Sequence, residues 1–222
     1  GTFEDVKKKY PDIKVIVGDG SLFWSRGMHL AWQTAAKTKD YDFYLWLNDD
    51  TTLYKLGLQN MLSVVKNETI VVGATVSISN HKITYGGRII KKGLIGISDT
   101  VQECDYFNGN LVLIPKTVFE LIGFNDYKFH HGLGDFDYGL RAGKKNINLL
   151  VAPNFSGFCE LNTTRKSWQI KKMSFSQRYR LFKSPLGNNP EEYFLFDFRH
   201  NGVFSAVSHY CLAYIRLLYC SI

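Results

Sequence analysis

Short, almost uninterrupted apolar runs alternate along this chain with longer stretches in which apolar residues recur every three or four positions. Phe3, Val6 and Tyr10 fall on one side of an N-terminal helix, lysines occupy the rest, and Pro11 breaks it. Ile13-Lys14-Val15-Ile16-Val17 reads as a short strand closed by Gly18-Asp19-Gly20. Residues 25–38 predict a helix with Met28, Ala31, Trp32, Ala35 and Ala36 along one face. Residues 43–47 predict a buried strand, 56–66 an amphipathic helix and 70–76 another strand. A hairpin or irregular insertion fills 81–100, with turn points at Gly86-Gly87 and Gly93. A strand at 109–115, a short helix at 116–122, a loop at 125–134, a helix at 135–142 and a last strand at 147–151 follow. Strands alternating with helices argue for the α/β class, with a mainly parallel sheet flanked by helices.

After Pro153 the character changes. Residues 154–166 read as loop, and Lys171-Lys172, Arg178, Arg180 and Lys183 form a basic, aromatic-interleaved segment broken by Pro185 and Pro190. Nine Lys/Arg against three Asp/Glu lie from Arg165 onward, whereas the first 164 residues carry 18 against 17. Local basic excess of this kind suits an anionic partner better than a high overall pI does. Between Arg199 and Arg216, 16 residues pass without a charged Lys, Arg, Asp or Glu, short of the ~20 apolar residues of a spanning helix. A helix lying in a membrane interface, or packed on the domain, fits that length. The division expected is 1–164 as the α/β domain and 165–222 as a basic, aromatic-rich helical appendage.

Composition narrows the picture further. An aromatic share of 15% points to an aromatic-rich core or to sugar-stacking surfaces. Cys104, Cys159, Cys211 and Cys220 show no C-x-x-C spacing, which fits a reduced, cytoplasmic chain, and no signal peptide opens it. No nucleic-acid fold accompanies the basic segment, so a nucleic-acid partner is not expected.

Two acidic clusters carry the candidate chemistry. The first ends the strand 43–47: Asn48-Asp49-Asp50-Thr51-Thr52. Adjacent carboxylates repel unless a cation lies near them, and open α/β sheets place ligands at the carboxyl ends of strands. A divalent cation held with phosphate oxygens satisfies both conditions. An Asp50 or Thr51 N-cap on a helix from Thr52 satisfies them equally well. The second cluster is Gly134-Asp135-Phe136-Asp137, leading into Arg141. Here too a catalytic carboxylate and a plain helix cap are both open readings.

The ordered set of strand-ending carboxylates, the strand after Asn108-Gly109, and the Gly-Asp-x-Asp helix resembles the inverting family 2 glycosyltransferases of GT-A fold. The opening run Gly18-Asp19-Gly20-Ser21 through Trp24, Ser25 and Arg26 adds to the likeness, which covers roughly residues 1 to 160. The resemblance implies that Asp50, with Asp49 second, binds Mg²⁺ or Mn²⁺, and that Asp135 is the catalytic base. It places Asp19, Trp24, Arg26, Asn48, Asn108 and Gly109 on the nucleotide-sugar donor, and His130, His131 and Asp137 on the acceptor. Relatives often add a later metal-binding His, but residues 154–160 offer none. Complete members also begin with a strand-helix-strand that this chain lacks, which would favour a homo-oligomer through exposed sheet. The expected acceptor is a glycan or a lipid-linked hydroxyl, with peripheral membrane contact through 165–222 at the inner face of the cell membrane. A nucleotidyltransferase and a non-catalytic nucleotide- or carbohydrate-binding fragment remain the alternatives.

Overall fold

The structure is a computed structural model that describes residues 2–162, 173–187 and 189–219. Eight helices and ten strands are defined among them: α1 (Thr2–Lys9), α2 (Phe23–Thr38), β1 (Phe43–Leu47), β2 (Thr52–Leu53), α3 (Gly57–Val64), β3 (Thr69–Val76), β4 (Ile83–Tyr85), β5 (Gly87–Ile89), β6 (Gly93–Leu94), β7 (Gln102–Glu103), β8 (Tyr106–Phe107), β9 (Leu111–Pro115), α4 (Lys116–Ile122), α5 (Gly134–Gly143), β10 (Asn148–Phe158), α6 (Phe175–Phe182), α7 (Pro190–His200) and α8 (Val203–Tyr219). The principal sheet runs β1-β9-β3-β10-β2, with β4 on β3 and β7 on β10, and a small sheet β6-β5-β8 sits beside it.

The α/β class expected from the sequence is the one observed, with a mixed pairing pattern. β9 is antiparallel to both β1 and β3, and β10 is parallel to β3. The long strands β1, β3 and β10 therefore point the same way, and β9 runs against them in their midst. Three carboxyl ends and one strand start meet at a single edge of the sheet. Apolar repetition in the sequence reports burial but not strand direction, so the reversal of β9 was not legible there.

β3 and β9 are buried along their whole length, as their apolar runs demand. β1 is not: Tyr44 and Trp46 are buried on one face, Leu45 packs half-buried on the other, and Phe43 and Leu47 are exposed on a strand that ends the sheet. Tyr44 and Trp46 pack with Trp32 of α2, Phe119 of α4 and Tyr138 of α5, ring centroids 5.2–5.5 Å apart. The aromatic surplus thus builds the core face between α2, α4, α5 and β1, mostly in tilted and edge-on contacts. Ala31, expected on the buried face of α2, is exposed.

Other expectations shift. Ile13–Val17 forms no strand; it joins no sheet among the described residues and Val17 is 72% exposed. β-branched residues favour a strand only where a neighbour accepts their backbone. No helix starts at Thr52, because Thr52 and Leu53 pair with Phe158 and Gly157 as β2. Gly93 does turn, at φ +83°, but Gly87 lies inside β5 rather than at a turn. β10 continues seven residues past Val151, through Pro153. A register shift and the left-handed Asn154 mark a bulge there, one of the few places where a strand tolerates proline.

The C-terminal helices are fastened to the α/β body. Asn189 caps α7 and Pro190 occupies its first turn, so this proline opens a helix. Much of the basic character is spent internally: Arg178 is buried and donates to the Leu217 carbonyl, Lys183 pairs with Glu191, and Arg199 reaches Asp126 and Asp137. Arg165, Lys166, Lys171 and Lys172 lie outside the described residues. No helix among the described residues is long and apolar enough to cross a membrane.

Trp32 is 3% exposed at the centre of the aromatic face. Trp32→Ala should destabilise the protein by about 3–5 kcal/mol, measured as a shift in urea-unfolding free energy; a loss under about 1 kcal/mol would remove Trp32 as the keystone of this core.

Candidate active site

The sheet edge where β1, β3 and β10 end and β9 begins gathers the acidic residues. Asn48, just beyond β1, donates its backbone N–H to the Asn110 carbonyl at 3.0 Å and accepts the Trp24 indole N–H at 2.6 Å through its side chain. Trp24 in turn lies over Gly109: a Cβ at that position would come within 2.4 Å of the indole. Gly109 is therefore required for the close approach, not for turning. Its backbone N–H donates to Asp135 Oδ2 at 2.8 Å. Trp24, Asn48, Gly109 and Asp135 thus lie together at this edge.

Asp49 and Asp50 stand exposed at the mouth of the same edge. The Cys159 thiol, next after β10, accepts from the Asn110 amide at 3.8 Å and donates to the Glu160 carbonyl at 3.6 Å; burial, and the nearby Asp50 carboxylate, push its pKa upward. Asn110 directly follows Gly109. The two acidic clusters, 85 residues apart in sequence, thus flank one pair of residues at the start of β9. Among the described residues no three His, Cys, Asp or Glu side chains converge on a metal-sized space. The available donor set is two exposed carboxylates, which suits a cation that retains water and takes its remaining oxygens from a phosphate ligand.

Asp135 does not cap α5; Leu133, in a left-handed conformation at φ 67°, takes that position. Burial pushes the Asp135 carboxyl up from its ordinary 3.8 to about 6, against the lowering effect of the Gly109 and Phe136 N–H groups and of Arg88. Arg88 went unnoticed in the sequence, where it sits in an irregular stretch without a motif. In the fold its guanidinium donates to Asn108 Oδ1 at 3.2 Å and lies over the rings of Tyr106 and Phe136. It is the cation nearest in effect to Asp135.

Other predicted residues are placed elsewhere. Asp137 is fully buried and held by Arg141 at 2.9 Å, Arg199 at 2.5 Å and His200 at 2.9 Å. Despite its burial these partners keep its pKa low. It cannot reach an acceptor, because positions two apart on a helix point about 200° from one another. Arg26 turns from the donor side to stack on Tyr127 and donate to its carbonyl. Asp19 is exposed and accepts from the Ser21 N–H and hydroxyl in a local turn. His130 is tied to Glu192 at 2.7 Å, and its carbonyl accepts the N–H groups of Ser25 and Arg26 at the start of α2. His131 is exposed, its ring against Phe23. Glu192, which no local motif marks, is thus the residue by which α7 pins the loop leading to Asp135.

No family model matches the chain, and no curated protein matches it in sequence. The fold is that of a GT-A-type glycosyltransferase. A similar solved structure is the crystal structure of GalNAc-T7 with UDP, GalNAc and Mn²⁺, at 12% identity and a TM-score of 0.53, covering 82% of this chain and 38% of that one. The chain spans well under half the length of that neighbour.

The raised Asp135 has a consequence for stability. Between pH 3.8 and about 6 the folded protein keeps a proton that the unfolded chain has released, so stability falls as pH rises through that interval. Asp135→Asn should flatten this fall. Urea midpoints at pH 4, 5, 6 and 7, compared with wild type after the other carboxylates' common slope is subtracted, check it; identical slopes would show that Asp135 titrates normally.

Proposed function

We propose that this chain is the catalytic part of an inverting, metal-dependent glycosyltransferase, similar in mechanism to family 2, that moves a sugar from a nucleotide-sugar to a glycan or lipid-linked hydroxyl. The observation that carries the reading is the shared position of Asp135 and Asp50 on either side of Gly109-Asn110, one half-buried and one exposed. The neighbouring fold was crystallised with UDP, GalNAc and Mn²⁺, which supports a nucleotide-sugar donor and a divalent cation. Asp50, assisted by Asp49, would hold Mg²⁺ or Mn²⁺, which when bound neutralises charge on a departing diphosphate.

Asp135 then takes the proton from the acceptor hydroxyl as its oxygen attacks the anomeric carbon on the face opposite the leaving group. A single displacement of this kind inverts the configuration. A carboxylate with a pKa of about 6 is well matched to that task near neutrality, since it is largely ionised yet basic enough to accept a proton. Gly109 fixes the carboxylate through its backbone, and Arg88 favours the ionised form while steadying Asn108. Trp24 and Asn48 wall the donor side of the cleft.

Calorimetry with a nucleoside diphosphate and Mn²⁺ tests the donor half: Asp50→Ala should lose the metal-dependent binding, and Asp135→Asn should keep it. Absence of such binding in wild type favours the non-catalytic alternative. In a donor-screen transfer assay, Asp135→Asn should lower kcat about 10²–10⁴-fold. The wild-type rate should rise with pH through about 6, and Arg88→Ala should move that limb to higher pH, because Arg88 lowers the Asp135 pKa.

Peripheral membrane contact has its own support in α8. Phe204, Val207, Ile215 and Leu218 recur at helical spacing on its exposed side, and Phe204 is 89% exposed. Deleting 165–222 would also remove the α7 ties to Asp126 and Asp137, so surface substitutions are the cleaner test. A Phe204→Ser, Ile215→Ser, Leu218→Ser variant should lose sedimentation with phosphatidylglycerol vesicles while keeping its thermal midpoint; unchanged sedimentation would end this part of the reading.

A further inference from the structure

β1 is the last strand of the principal sheet and pairs with β9 alone among the described residues. Antiparallel strands turn alternate residues toward the partner. The Lys116 N–H donates to the Asp42 carbonyl and the Asn48 N–H to the Asn110 carbonyl, so the even-numbered residues of β1 face β9. The backbone N–H and C=O groups of Phe43, Leu45 and Leu47 therefore point to the free edge, where no group of the described residues meets them. Such edges are normally guarded by a charge, a proline or a bulge. Phe43-Tyr44-Leu45-Trp46-Leu47 carries none of these.

Beyond this edge lies a trough rather than open surface. A cavity of about 290 Å³ separates α2 from β1, and one of about 350 Å³ separates α2 from residues 13–18. Ala31, exposed on α2, lines both and joins them. Among the described residues, Lys14 is the one charged side chain in either lining. On the other wall, the backbone groups of residues 14–17 also meet no partner among the described residues. An apolar floor thus runs between two walls whose backbone hydrogen-bonding groups are unused.

We propose that this trough binds a β-strand: one extended, uncharged, apolar segment of about five residues, matching the length of β1, from a polypeptide other than residues 1–222. Its backbone would bond to Phe43, Leu45 and Leu47 on one side and to residues 14–17 on the other. Alternate side chains would cover α2 at Ala31. Lipid chains would cover the apolar walls but leave those backbone groups unmet. A second copy fits poorly, since pairing β1 with its counterpart would bring a whole sheet edge into a space already walled on both sides. Within the chain, residues 163–172, which lie outside the described ones, carry four Lys/Arg in ten positions, too many for an uncharged trough. None of these backbone groups takes part in the proposed glycosyl transfer.

The peptide Lys-Lys-Val-Ile-Val-Ile-Val-Lys-Lys, whose lysines lie outside the apolar core and keep it soluble, tests the groove beside the same peptide N-methylated at its three valines. By calorimetry the first should bind wild type one to one. The second keeps the side chains but loses alternate N–H donors, and should bind about tenfold more weakly or worse. Amide exchange followed by NMR should slow at Phe43, Leu45 and Leu47 by about tenfold or more when the first peptide is present. Ala31→Trp, a change at an exposed position on the trough floor, should weaken binding by about tenfold while its thermal midpoint matches wild type. No binding, equal binding of the N-methylated peptide, unchanged exchange at the three residues, or full binding by a folded Ala31→Trp would each overturn the proposal. So would sedimentation showing a dimer in which the three amides are already protected, because a second copy would then hold the edge. Should Ala31→Trp fail to fold, the N-methyl and exchange comparisons on wild type decide the matter.

Discussion

The buried carboxylate of Asp137 is the constraint on which the rest of the molecule depends. A charge without solvent access must be paired, and Asp137 is paired three times, by Arg141 of its own helix and by Arg199 and His200 of α7. Arg141 also donates to the carbonyls of Ile122 and Phe124 behind α4, and Arg199 to Asp126 in the following loop. One ion therefore sets the rotation of α5, the seat of α7 and the course of the loop at 125–134. Removing one partner from such a cluster typically costs about 3–5 kcal/mol, because the remaining charge is left stranded.

That rotation determines where Asp135 points. With Asp137 turned into the protein, a residue two positions earlier must emerge on the other side of the helix, toward Gly109. The loop is fixed from its other flank by Glu192 on His130 and by the His130 carbonyl on α2. The base role proposed for Asp135 would gain from such rigidity, since proton transfer depends on close placement of the reacting groups. The acidic pair in the Asp-x-Asp sequence thus divides its work: the second member orients the helix, and the first is presented to the cleft.

The reversed strand β9 supplies the complementary half of the site. Strands β1, β3 and β10 bring their carboxyl ends to one edge, and β9 begins there. A start offers backbone N–H groups not yet committed to the ladder, and Gly109 gives one of them to Asp135. The Glu160 carboxylate closes the opposite corner of this edge by accepting from Ser77, Ile78 and Ser79. The cleft is consequently bounded by backbone geometry more than by mobile side chains.

Much of this was legible in the order of residues, because local periodicity and strand-end chemistry are properties of neighbours in the chain. The helices α2, α4 and α5, the strands β1, β3 and β9 and the two acidic clusters could all be read directly. Strand direction could not, since an apolar run is equally apolar when reversed. Nor could the inward turn of Asp137, the retreat of Arg26 and His130 from ligand to loop, or the arrival of Arg88 and Glu192 at the site. Each depends on partners between 20 and 101 positions away, and whether a charged side chain binds a ligand or another residue is decided by which oppositely charged group the fold brings within about 3 Å of it.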